Sequence, residues 1–549
     1  MKGYEAIPEL LRRGGTSTVF SMVGNTNVPW IGHGVKTGAL RLVKTRHEET
    51  AVNAAEGFSR AAGEIPVCSV TQGPGFANAL NGLVSATRTH VPLLFVVGES
   101  PATKVKTTMN LDQRALCEVA GAGFHHVAEA SQLADRFGAA LAAARWNGCP
   151  QVVSIADGVL TADVELPAEG LGSSPERLGV GTGSERGGAT PDPAAVESTV
   201  DLLASARRPL ILAGQGAILA DCRAELAELA TLTGAQTGTT LRANWFFSGR
   251  AGDLGLCGNW APALVRKALA EVDVVFAVGA SLNTWTTGDR QVFPAARFAR
   301  VDVDPETVPT GADPDVSLFG DAQHVVRAVL DAWRARGLTN PKPVVARPTI
   351  AQVQESVRAV DVGHDPARGL DLREVFGVFD EHLPANRVVV TDAGRSLKTL
   401  PTLVSAESAR QWLIGNSFGS IGRGLGIAIG AAAARPADPV VLFCGDGGFM
   451  MAAQDLDAVR LNGLSLTVVV TNDEQLGAEA KYVDQYDLPP EMIRQTLPDV
   501  AQLAGAFGGT GRVVRTREEL AAAAAGAGPG LTVLDVRIDP QIDCAGALK

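Results

Sequence analysis

The apolar positions of this chain fall into short unbroken runs, separated by stretches with helical spacing. Thr18-Val-Phe-Ser-Met-Val23, Val67-Cys-Ser-Val-Thr71 and Leu93-Leu-Phe-Val-Val97 show no strict apolar/polar alternation, as expected of parallel strands covered on both faces. Leu40-Arg-Leu-Val-Lys-Thr45 is a further strand candidate, and helices are expected over Thr50 to Ala62 and Ala77 to Thr87. Similar runs recur at Pro209–Ala213, Val272–Ala277 and Arg300–Val303, and again at Val388–Val390, Pro439–Cys444 and Leu466–Thr471. Strands that alternate with helices predict doubly wound parallel sheets.

Two stretches interrupt the pattern. Residues 169–192 are rich in Gly, Ser and Pro, and residues 341–368 contain several prolines, so both read as linkers. The expectation is an α/β protein of three doubly wound parallel-sheet domains, at 1–168, 193–340 and 369–549. A chain of 549 residues is too long for a single core.

Composition narrows the class of partner. With 46% hydrophobic and 19% charged residues the chain reads as globular and soluble, and its 61 glycines suit closely packed α/β layers. A net charge of −11 disfavours nucleic acid or an anionic membrane. An anionic ligand would therefore need local N–H groups and a metal rather than a basic surface. Seven scattered cysteines form no C-x-x-C pair, which argues against a zinc site or a disulfide framework and for reduced thiols. No apolar run reaches membrane-spanning length and Met1-Lys-Gly-Tyr-Glu-Ala carries no signal-peptide core, so a cytoplasmic protein is expected.

The chemistry is concentrated near residue 450. The run Pro439–Cys444 leads into Gly445-Asp446-Gly447-Gly448-Phe449, with a helix expected over about Ala452 to Leu461. The run Leu466–Thr471 then leads into Asn472-Asp473-Glu474-Gln475-Leu476-Gly477. Asp446 and Asp473 are 27 positions apart (473 − 446), a spacing that lets a βαβ unit bring both carboxylates to one crevice at the carboxyl edge of a sheet. Two carboxylates and a backbone carbonyl suit Mg²⁺. On these residues alone the alternative is a pair of strand-end acids with no metal. The stretch resembles the diphosphate-binding motif of thiamine-diphosphate enzymes, and the order of the three blocks resembles the acetolactate synthase, benzaldehyde lyase and 2-oxo acid decarboxylase superfamily. That family usually carries asparagine where this chain has Asp473.

The resemblance implies a pyrimidine-binding domain, a central domain and a diphosphate-binding domain. Asp446, Asp473 and the Gln475 carbonyl would hold Mg²⁺, which holds the diphosphate of the cofactor among Gly445, Gly447, Gly448, Leu476 and Gly477. Arg395 and Ser396, after Val388–Val390, would touch the diphosphate. Gly419 and Ile421 would lie beneath the cofactor, with Ile421 wedged between its rings. Glu48, in Arg46-His47-Glu48, would hydrogen-bond the pyrimidine. Without the resemblance Glu48 reads as a helix N-terminal acid and Ile421 as core. Glu49 and Glu56 read as first-turn and helix-packing residues. The substrate pocket would draw on Asn25, Gly73 beside Thr71 and Gln72, Gln113 and Glu479.

Gln113 matches a glutamine of carboligating relatives, and the histidine pair of pyruvate decarboxylase-like relatives is missing. His125 and His126 fall on an expected strand and read as structural. The implied activity is decarboxylation of a 2-oxo acid with carboligation. The alternatives are a lyase or ligase of 2-hydroxy ketones or 2-hydroxyacyl compounds, and a simple 2-oxo acid decarboxylase. Some relatives hold FAD in the central block, where Gly214-Gln215-Gly216 follows a strand, but the full dinucleotide fingerprint is missing and FAD is not expected. The family's site lies between subunits, so a homodimer or homotetramer is expected.

Overall fold

Each of the three blocks folds around a six-stranded parallel sheet. The computed structural model describes residues 1–99, 108–168, 170–171, 191–338, 348–526 and 528–542. The first sheet contains β1 (Thr18–Ser21), β2 (Arg41–Lys44), β3 (Val67–Val70), β4 (Leu94–Gly98), β5 (Gly123–Val127) and β6 (Gln151–Ile155), in the order β2-β1-β3-β4-β6-β5. The central sheet contains β7 (Pro209–Ala213), β8 (Gln236–Thr239), β9 (Asp253–Leu256), β10 (Val274–Val278), β11 (Arg297–Asp302) and β12 (Val316–Phe319), in the order β12-β11-β10-β7-β8-β9. The third contains β13 (Val388–Asp392), β14 (Trp412–Gly415), β15 (Val440–Gly445), β16 (Leu466–Asn472), β17 (Thr510–Val514) and β18 (Leu531–Arg537), in the order β14-β13-β15-β16-β18-β17. Counted from its own first strand, the third sheet repeats the order of the first. β3, β4 and β16 are buried at every position, which is why their sequences run apolar without alternation.

Three elements differ from the sequence expectation. The single helix expected over about Ala452 to Leu461 is two, Asp446–Ala452 and Leu456–Leu461, joined by a 3-10 turn at Ala453–Asp455; the first starts at Asp446 because extended Gly445 caps it and an acid suits the positive end of a helix. The expected 77–87 helix begins at Pro74, a residue pre-set for a first helical turn. The second linker contains a helix, Ile350–Arg358, which buries Val353 and Val357. Its capping box is closed by the Gln352 N–H donating to Thr349 Oγ1 (3.2 Å) and the Thr349 N–H donating to Gln352 Oε1 (2.9 Å).

The first and third domains share one hydrophobic core. The Glu48–Ala62 helix follows β2, and the Gly424–Ala434 helix follows β14, its counterpart in the third sheet. These two equivalent helices lie side by side, with Gly426 against Thr50 and Asn53 and Gly430 against Ala54 and Phe58. Their backbones touch: a Cβ on Gly57 would lie 2.0 Å from the Ile427 carbonyl oxygen, and one on Gly430 would lie 1.9 Å from that of Ala54. Only glycine permits that approach.

A buried polar cluster fastens the same seam. Arg423 forms an ion pair with Glu56 and donates from Nε to Asn53 Oδ1 (3.0 Å). Arg60 donates to Glu56 Oε1 (3.1 Å) and to the Ile414 carbonyl (2.8 Å). The central domain joins through Arg242, which donates to the Arg88 carbonyl (2.8 Å) and to Ser417 Oγ (3.1 Å).

Candidate active site

The strand order of the third sheet reverses between β13 and β15. A crevice forms outside the carboxyl ends of strands at such a point. Three adjacent strands end there in an acid: Asp392 closes β13, Asp446 follows β15 and Asp473 follows β16.

Asp446 is buried, and the Gly447 N–H donates to its Oδ1 (2.8 Å). Its Oδ2 is buried with no hydrogen-bond partner among the described residues. Burial, and then the negative charge of Asp473, push the Asp446 carboxyl up to about 7, against the pull of the N–H groups of Gly447, Glu474 and Gln475. A buried, unpartnered carboxylate oxygen beside a second carboxylate is a donor set that a divalent cation satisfies. No group of three or more His, Cys, Asp or Glu converges among the described residues, so carbonyl and ligand oxygens would have to complete the shell.

Asp473 is itself paired. Arg395 Nη1 forms an ion pair with Asp473 Oδ2, and Nη2 donates to the Ile542 carbonyl (2.8 Å). Burial raises the Asp473 carboxyl and Arg395 opposes the shift. Arg395, expected on the diphosphate, thus has its guanidinium engaged by Asp473 and the C-terminal segment. The Gln475 carbonyl, the third expected ligand, accepts from the Gly477 N–H (2.9 Å) and keeps a second lone pair for a cation. The turn is clamped by the Leu476 N–H donating to the Ile493 carbonyl (2.8 Å) and the Gln495 N–H donating to that of Glu474 (2.8 Å).

The glycines divide into two kinds. A Cβ on Gly445 or Gly419 would meet open space, where a ligand can approach. A Cβ on Gly447 would lie 2.8 Å from Leu476 Cδ2, and one on Gly448 2.8 Å from Asp392 Oδ2, so these two let the turns pack on one another. Asp392 was given no role of its own from the sequence. It accepts from the N–H groups of Ala393 (2.8 Å) and Gly422 (2.7 Å), tying β13 to the turn that carries Ile421. Burial pushes its carboxyl up to about 6. The only sequence signal was an acid at the end of a buried apolar run. Ile421 is partly exposed, and Ser396 is buried with Oγ 3.4 Å from Thr471 Oγ1.

In the first domain, Glu48 opens its helix and accepts from Asn78 Nδ2 (3.1 Å). Asn81 donates both to Glu49 Oε1 (2.7 Å) and to Ser420 Oγ (2.9 Å), bridging this helix start to the Ile421 turn. Asn25 is exposed and accepts from Thr71 Oγ1 (2.7 Å), across the point where the first sheet reverses its strand order. Gly73 has φ +62°, and a Cβ there would lie 2.5 Å from the Met109 carbonyl oxygen. Gln113, expected in the pocket, is buried: its amide donates to the Gly98 carbonyl (2.8 Å) and accepts from Ser154 Oγ (2.9 Å). Glu479 is exposed at the start of the short Ala480–Gln485 helix. His125 Nε2 lies 2.9 Å from Gln151 Oε1, and His126 Nε2 lies 2.7 Å from Glu99 Oε2. In the central domain, Gly214 and Gly216 pack against Gly279, where a Cβ on Gly214 would lie 2.2 Å from its carbonyl oxygen.

Three family models match this chain: the N-terminal TPP binding domain of thiamine pyrophosphate enzymes over residues 1–118, their central domain over 196–329 and their C-terminal TPP binding domain over 392–536. The chain belongs to the thiamine-pyrophosphate-dependent enzymes, in their acetolactate synthase superfamily. It is 28% identical over 568 residues to a probable acetolactate synthase large subunit of Methanocaldococcus jannaschii, covering 98% of this chain and 92% of that one. It is 28% identical over 569 residues to an acetolactate synthase of Arthrospira platensis, covering 99% and 95%. It is 26% identical over 550 residues to the acetolactate synthase isozyme 2 large subunit of Escherichia coli K12, covering 95% and 92%. No described helix is long and apolar enough to cross a membrane.

Proposed function

We propose that this enzyme uses thiamine diphosphate and Mg²⁺ to join carbon units drawn from a 2-oxo acid with loss of CO₂, as a carboligase. The observation that carries the reading is the unpartnered, buried Asp446 Oδ2 beside Asp473, at the point where the third sheet reverses its strand order. The relatives described as acetolactate synthases support the carboligase assignment. Bound here, the cofactor supplies an electron sink for breaking and making bonds next to a carbonyl.

The protein's own residues hold and orient. Asp446, Asp473 and the Gln475 carbonyl would hold the cation, and the open face at Gly445 would admit the diphosphate. Asp392 fixes the turn that carries Ile421, the residue that would support the cofactor rings. Glu48 would offer its carboxyl to the pyrimidine as a hydrogen-bonding partner. Asn25 and Glu479 supply an amide and a carboxylate to the substrate side, while Gln113 supports the end of β4. Exposed apolar side chains (Met22, Val23 and Val28 near Asn25; Met451, Tyr482 and Tyr486 near the metal turn) call for a cover, and a homodimer or homotetramer supplies it.

The test gives purified protein thiamine diphosphate, Mg²⁺ and either pyruvate or an aromatic 2-oxo acid, then follows CO₂ and the organic product. An acyloin or a 2-hydroxy-3-oxo acid is expected, the latter from addition of the decarboxylated unit to the carbonyl of a second 2-oxo acid. A plain aldehyde as sole product, or bound cofactor with no CO₂ from either acid, overturns the carboligase reading.

A further inference from the structure

Asp473 stands where this family usually carries asparagine, so it adds a negative charge to the metal turn. That charge does not stand alone. Arg395 reaches Asp473 Oδ2 from the turn after β13, and its other nitrogen is anchored on the Ile542 carbonyl (2.8 Å). The two side chains are 15% and 5% exposed, so water screens the pair little.

The chain also makes room for the pair. A Cβ on Gly477 would lie 2.3 Å from Asp473 Oδ2 and 2.5 Å from Arg395 Cδ. The volume that any other residue would need at position 477 is filled by the ion pair. The pair engages one oxygen of Asp473 and leaves the second outside it.

We propose that Arg395 and Asp473 act as one unit, in which the arginine cancels the charge that the aspartate adds, so that a divalent cation meets a turn with the net charge of Asp446 alone. The formal sum is −1 for Asp446, −1 for Asp473 and +1 for Arg395, or −1, the charge a neutral asparagine at 473 would leave with no arginine beside it. Arg395 is thereby a positioning residue for the cation and not a phosphate contact. The inference rests on the cation site argued under the proposed function.

The test is a double-mutant cycle on the full chain. Calorimetry reads thiamine diphosphate affinity at fixed Mg²⁺, and thermal melting reads the metal-free protein. Asp473→Asn leaves a half-buried arginine without its carboxylate beside the cation; Arg395→Gln leaves an uncancelled carboxylate facing an anionic cofactor. Each single variant is expected to weaken cofactor binding by about tenfold or more and to lower the melting temperature. The double variant is expected to return to within about threefold of the parent affinity and to regain the lost stability. A double variant as weak as the product of the two single losses overturns the inference. So does a cycle in which only Arg395→Gln matters, which would make Arg395 a phosphate contact. A parent protein that binds no thiamine diphosphate would instead sink the cation-site reading, and the melting cycle of the metal-free protein would still report on the pair.

Discussion

At Asp446 a carboxylate is held away from water with one oxygen unpartnered among the described residues, an arrangement that costs stability until something occupies it. Its carboxyl rises from an ordinary 3.8 to about 7, so between those values the folded, metal-free protein binds the proton more readily than the unfolded chain. The contribution of Asp446 to the stability of the metal-free fold is therefore greatest below about pH 4 and is lost as pH climbs through 7. Asp446→Asn is expected to stabilise the metal-free protein by about 2–4 kcal/mol at pH 8, with the gain vanishing near pH 4, and to abolish Mg²⁺-supported cofactor binding. Melting curves across pH with and without cofactor check both. For Glu48→Gln the expectation is retained cofactor affinity with product formation reduced about 10²–10⁴-fold, read by calorimetry and turnover on the same sample. The sequence made Asp446 and Asp473 visible because their spacing and glycine context are local. Arg395 was visible as a turn residue, but its direction was not, because its partners Asp473 and Ile542 arrive from distant strands. Asp392 went without a role for the same reason: its value lies in an N–H of Gly422, which only the folded sheet brings near.

Among elements, the glycine-lined pair of helices sets the geometry between the first and third domains. The two kinds of helical glycine here allow a contrast. Gly430→Ala forces a methyl group against the Ala54 carbonyl and is expected to cost about 1–3 kcal/mol in chemical denaturation. Gly32 lies exposed inside the Val28–Thr37 helix with nothing within 4 Å of its Cβ position, and Gly32→Ala is expected to gain about 0.5–1 kcal/mol. Strands were readable wherever both faces were buried, as with β3, β4, β15 and β16. Helix starts were less so. A Gly-Asp-Gly-Gly run looks like a loop until Gly445 is seen to cap it, and prolines near residue 345 masked the capped helix at Ile350–Arg358.

For the molecule as a whole, three blocks were legible from the alternation of runs and from the Gly/Ser/Pro-rich interruption. How the blocks join was not. Glu56 looked like an ordinary helix residue, yet it is buried against Arg423, a partner 367 positions away. Around it, Arg60 and Arg423 bond to the one carboxylate and Arg242 of the central domain lies within its electrostatic reach, and Arg423 Nη1 is buried without a partner among the described residues. Glu56→Gln would leave that positive charge uncancelled. The expected cost is about 3–5 kcal/mol, read as a lower denaturation midpoint.

The helix pair also has a history in time. Glu48 is made 376 residues before Gly424 (424 − 48), and translation at about 5–20 residues per second separates the two by roughly 20–75 s. For that interval the first domain stands beside the ribosome with the Ala54, Gly57 and Phe58 face of its helix uncovered, because the Gly424–Ala434 helix that packs on it has not yet been synthesised. The nascent chain is therefore expected to engage chaperones, and the seam that later unites its domains is the surface by which it can first go astray.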